Sequence, residues 1–498
     1  MRRHWKTDTA VRSRTAVPSQ VPSAGLLYVD MDGTLLATDV LWELLVLLLK
    51  TRPALLWRVP FWLMKGKAFV KRQFVSHISL DPALLPYQES VITFLTRERR
   101  GGREIILATA ADRLVAERVA RHLGLFSAVL ASDGSVNLAG RAKLSAILHH
   151  ADGAAFDYIG NSSADLPVWE HASRALLVRP SRRLLIKASR TSTIEVVLCP
   201  RPPFRSALFR ALRVHQWSKN GLVLVPLLLA HQVTDLERVL KGVLAFIAFS
   251  LVASAVYIVN DLLDLESDRQ HPFKRLRPLA AGLMPIPVAF AIVPLAVASG
   301  LVIGVTLLPG LFAGILLLYL GSTTAYSCAL KRIAILDVLA LAGLYTLRVL
   351  AGAVATRVPV SPWFLAFSLF FFLSLAFVKR YSELRRAGGE GEVLDYLRAR
   401  GYVVEDADLL RSVGTTSGYL AVAILALYMN SPEVHVLYRR PGALWLIGPL
   451  LLYWVTRVWF LAHRGRLHGD PVVFALTDGP SYVLAGLVGA LLIVASLT

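Results

Sequence analysis

The chain has 498 residues, 55% of them hydrophobic, and a formal net charge of +20. So much apolar character over such a length excludes a single soluble domain and points to a membrane protein. In so apolar a chain the positive charge marks the cytosolic side and the anionic lipid surface, and no nucleic-acid partner is expected.

Residues 1–24 are basic with no apolar run behind the charges, which predicts a disordered cytosolic tail and not a secretory signal. From 25 to 190, short β-type runs (GLLYVDMDGTL, REIILATAA, SAVLASDG, AAFDYIGN, RALLVRP) alternate with helical stretches. That alternation predicts an α/β domain on a parallel sheet. Residues of about 36–100 would form a helical cap. Its apolar runs VLWELLVLLL and ALLWRVPFWLMKGKAFV are too short, or too interrupted by Arg58 and Pro60, to cross a bilayer, and are expected to lie on the membrane surface. Residues 191–212 read as a linker.

Residues 213–498 predict an all-α, multi-pass membrane bundle of about nine helices, near 221–232, 241–260, 286–306, 309–328, 335–355, 362–378, 413–430, 442–462 and 473–497. The first is short, as a broken or tilted helix would be. Loops on one side carry Arg269, Lys274, Arg275, Arg277, Lys331, Arg332, the Lys379–Arg411 cluster, Arg464 and Arg466. The other side carries only Arg238, Lys241, Arg357, Arg439 and Arg440. The asymmetry places the α/β domain in the cytosol, and an odd span count then places the C-terminus outside. Cys199 and Cys328 lie far apart and imply neither a disulfide nor a zinc site.

Within LYVDMDGTLL, Asp30 and Asp32 end an apolar strand. Two carboxylates one residue apart at the carboxyl edge of a parallel sheet can supply a nucleophile and a general acid. An Asp-Gly turn without chemistry reads the same residues equally well. Thr109 ends EIILAT, Lys143 opens KLSAIL, and YIGNSSADLPVW supplies Asn161 and Asp165. Together these resemble the four ordered motifs of the haloacid dehalogenase (HAD) superfamily of phosphatases. The resemblance implies Asp30 as nucleophile, Asp32 as acid and base, Thr109 and Lys143 as phosphate binders, and Mg²⁺ held by Asp30, Asp32 and Asp165. Asn161 departs from that pattern, which usually has Asp there, so a regulatory or docking role is the competing reading. A P-type pump would carry Asp-Lys-Thr-Gly-Thr, which is absent.

In NDLLDLESDRQHPFKRLRP, Asn260, Asp264 and Asp268 stand at i, i+4 and i+8, with Asp261 one step round the helix. Clustered carboxylates at a membrane boundary repel unless cations join them, and Mg²⁺ bridging a diphosphate answers that need. Arg269, His271, Lys274, Arg275 and Arg277 then offer donors to phosphate oxygens. A loop that only sets topology needs the cations but not the spaced aspartates. A transporter would favour acids at the bilayer midplane.

The stretch resembles the first aspartate-rich motif of the UbiA superfamily of intramembrane prenyltransferases. RVHQWSKNGLVLVPLLLA, DRQHPFKRLRPLAAG, LKRIAILDVLALAGLYTLRVLAGA and HGDPVVFALTDGPSYV are similar to its decaprenyl-phosphate phosphoribosyltransferase branch. That resemblance implies transfer of phosphoribose from phosphoribosyl diphosphate to a polyprenyl phosphate, with Mg²⁺ on Asp261, Asp264 and Asp268. Where a second aspartate-rich loop is usual, FVKRYSELRRAGG offers Lys379, Arg380 and Arg385, with Glu383 the nearby acid. Cations there, with Lys219, suit an acceptor that is itself a phosphate. Tyr257, Tyr326, Tyr345 and Arg348 are further candidates for the cavity lining. The alternative is a conventional enzyme moving an isoprenoid chain from a prenyl diphosphate to an aromatic or other small acceptor.

Overall fold

The structure, a computed structural model, describes residues 25–199, 203–387, 400–432, 434, 438–467 and 470–496. The tail expected over 1–24 and residues 388–399 of the basic loop lie outside the described residues. The chain divides into two compact units, one ending at Pro202 and one starting at Pro203.

The first unit holds strands β1 (Leu26–Val29), β2 (Glu104–Asp112), β3 (Ala128–Ser132), β4 (Phe156–Gly160), β5 (Arg174–Val178) and β6 (Ile194–Leu198). All pair in parallel, in the order β3-β2-β1-β4-β5-β6. Leu27 and Val29 face one core with Ile105 and Leu107, while Tyr28 faces another with Ile106, Ala108 and Tyr158. Both faces are covered, which is why the strands read as continuous apolar runs. The strand order reverses at β1, so a crevice opens at the carboxyl ends of β1 and β4. β6 falls inside the stretch read as a linker: its Ile-Glu-Val-Val-Leu sequence is rich in β-formers and extends the sheet beside β5.

Helices Val40–Thr51, Val59–Met64, Lys67–His77 and Glu89–Arg100 lie between β1 and β2. Asp39 caps the first, accepting from Leu41 N at 2.9 Å. That helix buries Val40, Leu44, Leu47 and Leu48 in the domain core, so it does not lie on a membrane surface as expected. Its leucines recur at helical spacing and the domain itself supplies their partner.

In the second unit, eight helices among the described residues are long and apolar enough to cross a membrane, where about nine were expected. They are Leu236–Leu263, Ile286–Thr306, Gly310–Arg332, Leu336–Thr356, Pro362–Arg386, Val404–Met429, Pro441–His463 and Gly479–Ser496. The missing one is the stretch near 221–232. It is a 3₁₀ run, Val214–Leu224, followed by a short α-helix, Val225–Leu229, with Pro226 in its first turn. Proline has no backbone N–H to continue the preceding turn's hydrogen bonding. Side chains anchor the run instead: Trp217 Nε1 donates to Ser254 Oγ at 2.9 Å and Asn220 Nδ2 to Ser250 Oγ at 3.1 Å. It lies flush on Leu336–Thr356, since a Cβ on Gly352 would stand 1.8 Å from Val223 O. Leu336–Thr356 serves two of the apolar cores of this unit, Leu344 and Ala351 in one, Val338 and Val349 in the other.

Candidate active sites

In the soluble unit, one ammonium organises the crevice. Lys143 Nζ, on the first turn of Arg141–Ala151, donates to Asp30 Oδ1 at 2.9 Å, Asp165 Oδ1 at 3.2 Å and Tyr158 OH at 2.9 Å. One cation serves two buried carboxylates. Burial pushes Asp30 up to about 6, with Lys143 only partly offsetting it. Asp165 stays below the usual range because Lys143 and the Tyr158 hydroxyl outweigh its burial. Thr109 is fully buried and accepts from Ala111 N at 3.0 Å, which leaves its O–H to donate.

Asp32 stands apart from this set, its Oδ1 accepting from Val40 N at 3.0 Å. Burial, then the Asp39 charge, raises its pKa well above normal, as a proton donor requires. Asp165 is not offered to a metal either. Its second oxygen accepts from Asn161 N, Ser162 N and Ser162 Oγ at 3.0–3.2 Å, fixing the 3₁₀ turn Ser163–Asp165. Of the expected Asp30–Asp32–Asp165 ligand set, Asp30 and Asp165 thus converge on Lys143, while the Asp32 side chain is turned to the Val40 amide. Asn161 fills the neighbouring space: a Cβ on Gly33, held at φ +73°, would lie 2.0 Å from its Nδ2. A carboxylate and an amide oxygen beside the β1 loop are hard donors that fit Mg²⁺. Sequence reading missed Lys71, from the cap, whose Nζ donates to Ala110 O at 2.5 Å and Asn137 Oδ1 at 3.0 Å. Nothing in its local sequence distinguishes it from any surface lysine.

In the membrane unit, Asp261 and Asp268 converge and Asp264 does not. Arg277 Nη1 donates to Asp261 Oδ1 at 3.1 Å and Asp268 Oδ2 at 2.6 Å, and Arg213 Nη2 reaches Asp261 at 2.5 Å. Asp264 has a side chain 44% exposed, with Lys331 Nζ at 3.9 Å. Of the three aspartates expected to hold a metal, two therefore meet at one guanidinium and the third stands outside them. Leu236–Leu263 ends before Asp264 and a new helix starts at Leu265: Asp264 sits at the kink between them (φ −94°, ψ 12°), although Asp264 N still donates to Asn260 O at 2.9 Å and Asp268 N to Asp264 O at 2.8 Å. Among the described residues no group of three His, Cys, Asp or Glu is gathered for a metal. Two carboxylates focused on a single positive centre nonetheless form a hard-oxygen pair that fits Mg²⁺ shared with a phosphate.

The other expected donors divide. Arg269 Nε braces Ala280 O at 3.1 Å, and His271 Nδ1 accepts from the Phe273 and Lys274 amides, so both shape the loop. Lys274 is half-buried and feels Asp268 and Asp264, while Arg275 is exposed and Asn260 half-buried. Lys219 Nζ and Lys379 Nζ meet at Asp470 Oδ2, at 2.8 and 3.7 Å, and Tyr345 OH donates to the same carboxylate at 3.1 Å. Despite its burial, Asp470 is held at about 2 by the two lysines. Arg348 is buried among Asn220, Tyr319 OH and Leu344 O, its guanidinium over the rings of Phe249, Tyr319 and Tyr345.

Arg380 is turned into the bundle. It donates to Asp337 Oδ2 at 2.5 Å, to Glu383 and to Tyr326 OH at 3.2 Å, and is 1% exposed. It and Glu383 are structural partners here, because neighbouring helix positions point about 100° apart and only Lys379 faces Asp470. Arg380→Ala is expected to destabilise the unit by about 3–5 kcal/mol, since Asp337 would keep a buried charge without its main partner. Thermal unfolding of the detergent-solubilised protein reads this, and Asp337→Asn with Arg380→Met should restore much of the loss. Arg213 and Asp470 were missed as site residues, though both sit in segments that carry the family resemblance.

Residues 222–477 match the UbiA prenyltransferase family, and residues 27–170 match the haloacid dehalogenase-like hydrolases. An uncharacterized Sinorhizobium fredii protein, y4nM, is 40% identical over 475 residues, covering 94% of this chain and 90% of its own. Decaprenyl-phosphate phosphoribosyltransferase of Mycobacterium tuberculosis is 38% identical over 304 residues, 58% of this chain and 94% of that one. Among solved structures, a UbiA homolog from Archaeoglobus fulgidus bound to DMAPP and Mg²⁺ aligns at 17% identity with a TM-score of 0.43, covering 58% of this chain and 98% of that one. The chain belongs to the UbiA prenyltransferase family, an integral membrane transferase joined in one polypeptide to a haloacid dehalogenase-like hydrolase domain.

Proposed function

We propose that the membrane unit transfers phosphoribose from phosphoribosyl diphosphate to a polyprenyl phosphate at the cytosolic face, and that the hydrolase domain then removes the product's 5-phosphate. The observation that carries this reading is the pair Lys219 and Lys379 on Asp470, two cations where a neutral acceptor would need none. The 38% identity to the mycobacterial decaprenyl-phosphate enzyme supports the same donor and acceptor.

In the transfer, the bond from ribose C1 to the diphosphate oxygen breaks, a phosphate oxygen of the lipid bonds to C1, and diphosphate leaves. Mg²⁺ on Asp261 and Asp268 would neutralise the leaving group. Arg213 and Arg277, already turned towards those carboxylates, donate to the diphosphate oxygens. Lys219 and Lys379 draw the acceptor phosphate, and Asp470 with Tyr345 fixes their ammonium groups. Positioning and charge are then the protein's main contribution.

In the hydrolysis, the Asp30 carboxylate attacks phosphorus while the leaving alcohol takes the Asp32 proton. Water next attacks the aspartyl phosphate, returning its proton to Asp32 and freeing phosphate. Lys143 holds the phosphoryl charge, and Asn161 with Asp30 would hold Mg²⁺.

Radiolabelled phosphoribosyl diphosphate tests the transfer: label entering the lipid phase supports it. Label remaining in water, with product formed from a prenyl diphosphate and an aromatic acceptor, rejects it in favour of a conventional prenyltransferase. Lys379→Ala is expected to raise the KM for polyprenyl phosphate about tenfold, one charge-assisted contact, with a smaller change in the KM for phosphoribosyl diphosphate. Initial rates with each substrate varied in turn check this.

A further inference from the structure

The cap of the hydrolase domain carries a feature that neither reaction uses. Its 3₁₀ turn Pro53–Arg58 and helix Val59–Met64 form a ridge of large apolar side chains that the domain leaves uncovered. Trp57 is 63% exposed, Phe61 60%, Leu63 56% and Met64 85%. Trp57 and Phe61 meet edge to face at 6.0 Å, and Trp62 turns inward, packing on Phe74 and His77. The same segment gives Leu55, Leu56 and Val59 to the domain core, so the four exposed side chains form the face that folding of the domain leaves over.

The charges around it are of one sign. Between Glu43 and Asp81 the chain has seven Lys or Arg and no carboxylate. Arg52, Arg58, Lys65 and Lys67 are exposed beside the ridge. The Arg58 guanidinium lies over the Trp57 ring at 5.2 Å and the Lys65 ammonium over Phe69 at 5.0 Å, so cations sit directly on aromatic faces at the edge of the ridge.

We infer that this ridge is a membrane-interface anchor: Trp57, Phe61, Leu63 and Met64 enter the headgroup boundary of an anionic bilayer while Arg52, Arg58, Lys65 and Lys67 pair with lipid phosphates. Aromatic and aliphatic side chains rimmed by cations match that boundary in both polarity and charge. A protein partner of ordinary composition offers no such uniform negative surface. Because the same polypeptide spans the membrane, lipid is present at high effective concentration and even weak insertion is populated. The anchor depends on neither reaction.

The test uses the full chain with Cys199→Ser and Cys328→Ser, reconstituted in nanodiscs of phosphatidylglycerol and phosphatidylcholine. Met64→Cys carries an environment-sensitive fluorophore, and some lipids carry a quencher at shallow acyl depth. Ile186→Cys, 48% exposed and far from the ridge in sequence, is the reference. The label at 64 should be quenched at least threefold more than at 186, and the excess should fall in neutral lipid and in Arg58→Glu with Lys65→Glu. Equal quenching at the two positions overturns the proposal. So does a blue-shifted but unquenched label at 64, which would mean that protein covers the ridge.

Discussion

Asp261→Asn is expected to lower incorporation of phosphoribose into lipid by about 10²–10³-fold, the scale set by removing a preorganised electrostatic element at a reacting centre. Asp261 meets both Arg213 and Arg277, so the change removes half of a converging carboxylate pair and leaves two guanidiniums short of a partner. Asp264→Asn should cost less than about tenfold, because that side chain is 44% exposed and stands outside the pair. Reconstituted protein, radiolabelled donor and organic extraction give the comparison, with phosphomonoester hydrolysis by the other domain as the check on folding. Equal losses for the two variants would show that the aspartates act as a triad and that the kink at Asp264 does not persist in the working enzyme.

Asp30→Asn should abolish phosphate release from a lipid-linked 5-phosphoribose, a loss of at least about 10³-fold, since no other group can accept the phosphoryl. Phosphoribose transfer should be unchanged. The acid limb of wild-type hydrolysis has a sign that follows from the burial of Asp30: its carboxyl titrates near about 6, the nucleophile is the ionised form, and the rate falls as pH drops below that. Added Mg²⁺ should move the limb to lower pH, because a nearby cation favours the carboxylate. A wild-type level of release in Asp30→Asn would assign the activity elsewhere and leave the domain a docking or regulatory part.

Much of both sites was legible in the residues, and the exceptions share a cause. Asp30 follows a strand, Thr109 stands where the pairing of β2 with β3 shifts register, and Lys143 opens a helix, and in a parallel sheet such positions come to the carboxyl edge. Asp261 and Arg277 lie only 16 positions apart, so a single helix end and its loop bring them together. Asp264 turned out to lie outside the pair: a helical wheel assumes a straight helix, whereas the chain kinks at that residue. Arg380 misled because two adjacent cations look alike in sequence while a helix aims them at different neighbours. Asp470 escaped because Lys219, its first partner, is 251 positions away.

By itself the sequence determined the two-part architecture, the sheet, most of the spans and which short segments carry chemistry. Those properties follow from hydrophobic periodicity and from residues that act through their nearest neighbours along the chain. Only the tertiary structure decided which carboxylates share a cation, which lysines meet at Asp470 and which apolar run stays outside the core. Each of those depends on side chains from distant segments meeting in space, where one turn of helix or one kink changes the partner.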